Sequence, residues 1–291
     1  MERFSLRNFI VNHKVGTFFV LTYFISWLGF LPSLLGSVGF FVQFSLLIAQ
    51  FGPTISAIIV ILPSKDSLKD WFMRIIKWKV PLYWWLITIF VPISIFTITS
   101  FFFALLGFQI ELSQLISSLI AYFPSLLGST LMAGLGEEPG WRGLALPQIE
   151  KKYNPLKSTL ILGTVWAFWH LPVFFIDPRS SHGITNPWVL SLMIFLTAFG
   201  IILYSFFYTW IYNHTKSILL MMILHGGFNA ATVHLIPFAD VIVFGPTYII
   251  LLSIQVTILF VFVIILLLLT NAKLGYDHKK TSDSEQDIKI E

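Results

Sequence analysis

Apolar residues run along this chain in long unbroken stretches, with little strand-like alternation. Eight of these stretches reach the roughly 20 residues that a helix needs to cross a bilayer: 16–36, 38–62, 82–107, 124–146, 156–176, 188–212, 217–236 and 246–270. Each reads as a transmembrane helix, because a helix pairs its backbone polar groups within its own segment while an open strand leaves an edge bare in lipid. The first run is too long for a signal-peptide core and no small-residue cleavage site follows it, so it counts as a mature span. Between the second and third runs the pattern changes. Leu68, Trp71, Phe72, Ile75 and Ile76 fall at i, i+3, i+4, i+7 and i+8, with Lys69, Arg74 and Lys77 largely on other faces. That spacing predicts a short amphipathic helix lying flat on the inner leaflet. With no internal repeat or dividing linker, the expected organisation is an N-terminal segment 1–15, one membrane domain 16–270 and a polar tail 271–291, the tail disordered.

Composition turns this pattern into a class. Of 291 residues, 56% are hydrophobic, 30 are Phe and only 11% are charged, against about 25% charged in a soluble domain. Mean hydropathy is +0.83. The expectation is an all-α polytopic membrane protein of about eight transmembrane helices, with lipid as its solvent. The net charge of +4 belongs to loops, so no nucleic-acid partner is expected. When eight spans are threaded with the N-terminus inside, all 18 Lys and Arg except Arg179 fall in inner segments or at their edges. This distribution follows the positive-inside rule and places both termini in the cytoplasm of a cell-membrane protein. The absence of Cys excludes disulfides, thiolate metal sites and a Cys nucleophile.

Ionisable residues inside the spans are confined to the fourth, fifth and seventh: Glu137, Glu138, Arg142, His170, His225 and His234. Each costs roughly 2.5–3.5 kcal/mol at mid-bilayer, which makes such residues functional candidates. The three spans are expected to pack together inside a jacket of the other five. Counting from their inner ends puts Glu137, His170 and His225 in one layer, on the order of 12–20 Å deep, reached from the cytoplasmic side. Glu138 and Arg142, at i and i+4, suit an in-helix ion pair, read here as structural. Glu137 is offset from Glu138 by about 100° and from Arg142 by about 140°, leaving it without a charge partner and suited to act as a general base. His225 and Asn229, also i and i+4, share a face and suit oxyanion stabilisation, while His170 can share a water with Glu137. Pro139 is expected to kink the fourth helix. Gly136 and Gly140 form a small-xxx-small pair for close approach. Trp166 and Trp169 either wall the cavity or fill core. His234 reads as a core or interfacial residue.

These residues resemble the motifs of the CAAX-protease and bacteriocin-processing (CPBP, or Abi) family of intramembrane proteases, which includes the Rce1-type prenyl-protein endoproteases. Glu137-Glu138-Pro139-Gly140-Trp141-Arg142 matches its E-E-x-x-x-R motif, and His225-Gly226-Gly227-Phe228-Asn229 its H-x-x-x-N motif. Trp166 to His170 matches F-x-x-x-H, with Trp in place of Phe. The resemblance covers 124–236. It implies an endopeptidase in which Glu137 activates water with His170, His225 and Asn229 hold the oxyanion, and Glu138, Arg142 and Trp166 support them. Membrane lipid and a membrane-associated protein or peptide, prenylated or leader-bearing, are the implied partners; the oligomeric state stays open. No cofactor is required on the preferred reading. The alternative is a zinc metalloprotease with Glu137, His170 and His225 as ligands. A transporter-like or bacteriocin-immunity protein without catalysis is the remaining rival.

Overall fold

The computed structural model describes residues 5–64, 66–108, 112–176, 186–235 and 246–276. They are almost entirely helical, with no strand among the described residues. A short α1 (Leu6–Asn12) leads into α2 (Lys14–Leu34), which returns through α3 (Phe40–Ile61). The expected amphipathic helix is α4 (Leu68–Ile75), followed by α5 (Leu82–Leu105). The fourth crossing is a compound rod. It contains α6 (Leu112–Ser129), a π turn over Thr130–Gly134, α7 (Leu135–Gly140), a second π turn over Trp141–Ala145 and α8 (Leu146–Glu150). The fifth comprises α9 (Pro155–Trp169) and α10 (Val173–Ile176), and the last three are α11 (Pro187–Thr215), α12 (Ile218–His234) and α13 (Pro246–Leu269).

Seven crossings are long and apolar enough to span a membrane, whereas α12, with 17 residues, is shorter. At about 26 Å it lies at the low end of spanning length. Close packing replaces lipid around it: Leu220, Leu224, Ala230 and Ala231 are fully buried.

The compound rod follows from Pro139. A proline inside a helix lacks the N–H for the carbonyl four residues back and crowds that carbonyl with its ring. Here that carbonyl is Leu135, and α3 supplies the missing donor: Thr54 Oγ1 bonds it at 2.8 Å. The widened π turns on either side absorb the local distortion, so the predicted kink is realised as two π turns flanking the motif. Gly136 and Gly140 then let α7 lie directly on α3. A Cβ at Gly136 would stand 2.7 Å from the Gln50 carbonyl oxygen, and one at Gly140 2.5 Å from that of Pro53. On the other side, Gly134 abuts the backbone of Met222 and Gly226 that of Leu126 and Thr130, which seats α12 against the same rod.

The fifth crossing breaks where the site needs a side chain. Pro172 cannot continue the helix, and α9 ends at Trp169 with His170 as its C-cap. The carbonyls left at a helix end must find other donors. Val165 accepts from Tyr23 (2.6 Å) and Trp169 from Trp27 (3.3 Å). Trp166 accepts from the His170 ring at 2.9 Å.

One end of the bundle collects the basic loops. Lys14 pairs with Asp66 at 2.6 Å, Lys77 donates to the Thr215 carbonyl, and Asn213 donates to buried Glu150. Given the alternation of the crossings, every described Lys and Arg except Arg142 lies at this end. Burial lowers the pKa of Lys216 from the ordinary lysine value. The first residues of the predicted tail are packed here too: Leu274 is fully buried, because an apolar side chain has a pocket to fill beside α11. Residues 277–291 of the tail lie outside those described.

Candidate active site

The fourth, fifth and seventh crossings meet as expected, but two of the other five are more than a jacket. Helices α3 and α11 contribute polar groups to the same cluster. Glu137, on α7, is almost fully buried. Its Oε1 accepts from Gln50 Nε2 at 2.8 Å and its Oε2 from Trp166 Nε1 at 2.6 Å. His225 Nε2 stands 3.8 Å from the same Oε1. The carboxylate expected to lack a charge partner is therefore pinned by two neutral donors and faced by an imidazole.

Glu138 turns the other way, as the helical offset predicts. Both of its oxygens lie 3.0 Å from Arg142 Nη1, and its Oε1 is 2.8 Å from His225 Nδ1. Glu138 and Arg142 expose no surface. Leaving either one alone would strand a charge in low dielectric. Arg142 is held further by Ser205 Oγ at 3.3 Å and by the faces of Trp166 and Tyr208, 4.3 and 4.1 Å from Cζ, a cation–π sandwich.

Hydrogen-bond roles follow from the partners. A carbonyl can only accept, so His170 Nδ1 carries a proton toward Trp166 and a neutral ring leaves Nε2 as an acceptor. His225 Nδ1 likewise faces an acceptor, Glu138 Oε1, in the carboxylate–histidine arrangement that fixes a ring's orientation. A cavity of about 390 Å³ is lined by Glu137, His170, His225, Asn229, Gln50 and apolar neighbours that include Phe30 and Leu46. Four candidate residues from three crossings thus border one space. His234, at the far end of α12, does not line it. Trp166 serves as a donor to Glu137, and Trp169 lines the wall.

Among the described residues, no group of three or more His, Asp or Glu stands close enough to hold a metal ion. Each Glu137 oxygen accepts one hydrogen bond, from Gln50 and from Trp166. Toward the basic end the layer is bordered by buried Trp71, Trp141, Arg142 and Leu146, where the fourth crossing continues as helix to Glu150. Trp71 Nε1 donates to the Pro139 carbonyl at 3.0 Å.

Gln50, Ser205, Tyr208 and the Trp71 bridge were missed in the sequence. Gln50 had a readable signal, since an amide in an apolar run must find a partner. Ser205 and Tyr208 had none, because weakly polar residues of this kind occur throughout the spans.

Comparison with known proteins identifies a family. A family model described as type II CAAX prenyl endopeptidase Rce1-like matches residues 77–231, a stretch that holds all three motifs. CAAX prenyl protease 2 of Methanococcus maripaludis is 26% identical over 219 residues, covering 71% of this chain and 78% of that protein.

Proposed function

The chain belongs to the Rce1-like type II CAAX prenyl endopeptidases, and on that footing we propose that Glu137 and His170 activate a water for attack on a peptide carbonyl within the membrane. The membership makes the protein a multi-pass intramembrane endopeptidase, a hydrolase of peptide bonds. The observation that carries the finer reading is the shared cavity, in which Glu137, His170, His225 and Asn229 face one volume.

Gln50 and Trp166 hold the Glu137 carboxylate in one orientation, which limits the reorganisation needed when the water gives up its proton. His170 Nε2 accepts the second water hydrogen and sets the direction of the lone pair. As the hydroxyl oxygen bonds to the carbonyl carbon, the carbonyl oxygen gains charge. With His225 as imidazolium, Glu138 holds Nδ1–H while Nε2–H and the Asn229 amide donate to that oxygen. Glu137, now protonated, passes its proton to the leaving amine as the C–N bond breaks. Each step uses groups of this chain, without a metal.

The substrate is a membrane-associated peptide, prenylated or leader-bearing, that enters from lipid. The basic end is the cytoplasmic face of a cell-membrane protein, by the positive-inside rule. The test is cleavage of an anchored fluorogenic peptide by the reconstituted protein, beside Glu137→Gln and His225→Ala. Loss of turnover in both variants, with unchanged folding, is the expected result. Full activity in Glu137→Gln would remove the general base from the scheme.

A further inference from the structure

Away from the reacting layer, a second set of charged side chains gathers where α4 meets the turn between α11 and α12. Arg74 Nη1 donates to the Tyr212 hydroxyl at 2.9 Å, Lys77 Nζ to the Thr215 carbonyl at 2.8 Å, and Lys216 Nζ to the Asn213 side-chain oxygen at 2.9 Å. The Ser217 hydroxyl closes the corner by donating to the Lys77 carbonyl at 2.7 Å. Each cation therefore gives one hydrogen bond to a neutral oxygen, and none of the three forms an ion pair among the described residues. A lysine has three N–H donors and an arginine five, so each keeps more to offer. Lys216 is exposed and Arg74 and Lys77 are half-buried, which leaves those donors within reach of a ligand. Arg74 and Lys77 repel the charge of Lys216 and Glu150 attracts it, so the group shares one small neighbourhood. Glu150 itself is buried and bonded to the Asn213 amide at 2.7 Å. Asp70, one turn before Arg74, is exposed.

The backbone singles out the same corner. Lys216 closes α11 in the left-handed region, at φ 49°, a position that glycine fills without the crowding a Cβ brings. A lysine held there costs stability and supplies a charge. Exposed Met73, Ile76 and Trp78 alternate with Arg74 and Lys77 along the chain, a mixture suited to the membrane interface, where an indole and a cation meet the headgroups. We propose that this corner binds the phosphodiester headgroup of an anionic phospholipid in the leaflet at the basic end, with Arg74, Lys77 and Lys216 as its donors. Basic pockets between membrane helices take such headgroups, and the exposed apolar residues beside the cations give the acyl chains a surface. Three cations against Glu150 and Asp70 leave one positive charge, the complement of a phosphodiester's single negative charge. The bound lipid would tie α4 to the turn that starts α12, the helix that carries His225. It does so whether or not the peptidase steps above hold.

The test is the unfolding midpoint of the full chain in neutral detergent, titrated with phosphatidylglycerol, with phosphatidylcholine or with inorganic phosphate. Phosphatidylglycerol should raise the midpoint in a saturable way, as a ligand of the folded state does, and the other two should not. Lys216→Gly should raise the midpoint of the lipid-free protein, because glycine relaxes the left-handed residue. The same variant should need roughly fivefold more phosphatidylglycerol for half of the response, the effect of one lost charge near a membrane surface. A purely structural lysine would not separate these two readouts. Lys77→Gln should weaken the lipid response in the same direction. Lys69→Gln removes an exposed charge about 140° round α4 from Arg74, and should respond like the wild type. Equal responses to phosphatidylglycerol and phosphatidylcholine would overturn the proposal, as would an unchanged response in both Lys216→Gly and Lys77→Gln. An effect reproduced by inorganic phosphate would assign the corner to a free anion instead of a lipid. Weakening by Lys69→Gln as large as that by Lys216→Gly would reduce the effect to general surface charge and sink the site.

Discussion

Thr54 on α3 donates its hydroxyl hydrogen to the Leu135 carbonyl at 2.8 Å, taking the place of the N–H that Pro139 lacks. The sequence-local defect is thereby repaired by a different crossing. Thr54→Val keeps the shape and removes the donor, leaving a carbonyl without a partner inside the bundle. A loss of about 1–3 kcal/mol in stability is expected, read as a lower unfolding midpoint in detergent, with Thr54→Ser close to wild type.

Close approach of α7 to α3 predicts a second asymmetry. Gly140→Ala places a methyl 2.5 Å from the Pro53 carbonyl oxygen, whereas Gly16→Ala meets nothing within 4 Å. The first substitution should destabilise by about 1–3 kcal/mol and the second should not. Equal midpoints for the two variants would contradict the packing described.

For the buried pair, Arg142→Met should lower folded yield severely, because breaking such a pair costs about 3–5 kcal/mol. Adding Glu138→Gln removes the stranded charge and should recover part of that loss, although His225 loses its ionised partner. A double-mutant cycle on unfolding midpoints measures the coupling.

Gln50→Leu removes one of the two donors that hold Glu137. A hydrogen bond to a charged group contributes about 1.5–3 kcal/mol, so turnover should fall roughly tenfold or more with a smaller effect on KM. Trp166→Phe should act in the same direction. Gln43→Leu, on an exposed position of the same helix, serves as the control and should leave turnover unchanged.

Turnover should also survive a strong zinc chelator, since the scheme passes every proton through side chains. Activity lost to the chelator and restored by zinc would require a rearranged Glu137, His170 and His225, and would displace the metal-free steps.

Much of this architecture was legible because lipid makes the code simple. Apolar run length located the crossings, and the rarity of charge inside them singled out Glu137, His170 and His225. The i, i+4 spacing separated Glu138–Arg142 from Glu137. What escaped were features set by neighbouring helices. The fourth crossing was expected over 124–146, yet its helix runs from Leu112 to Glu150, because α3 satisfies the carbonyl that Pro139 frees and the π turns absorb the strain. Gln50 was overlooked because it carries no charge, although its amide reaches the central carboxylate. The filling of the basic end by Trp71, Trp141 and Leu146 depends on how neighbouring helices meet, and no periodicity encodes that.

The indole bridge from Trp71 to the Pro139 carbonyl joins an interfacial helix to the turn that carries both glutamates. The depth of the reacting layer is therefore registered to α4 as if by a plumb line. A displacement of α4 carries with it the turn that holds both glutamates.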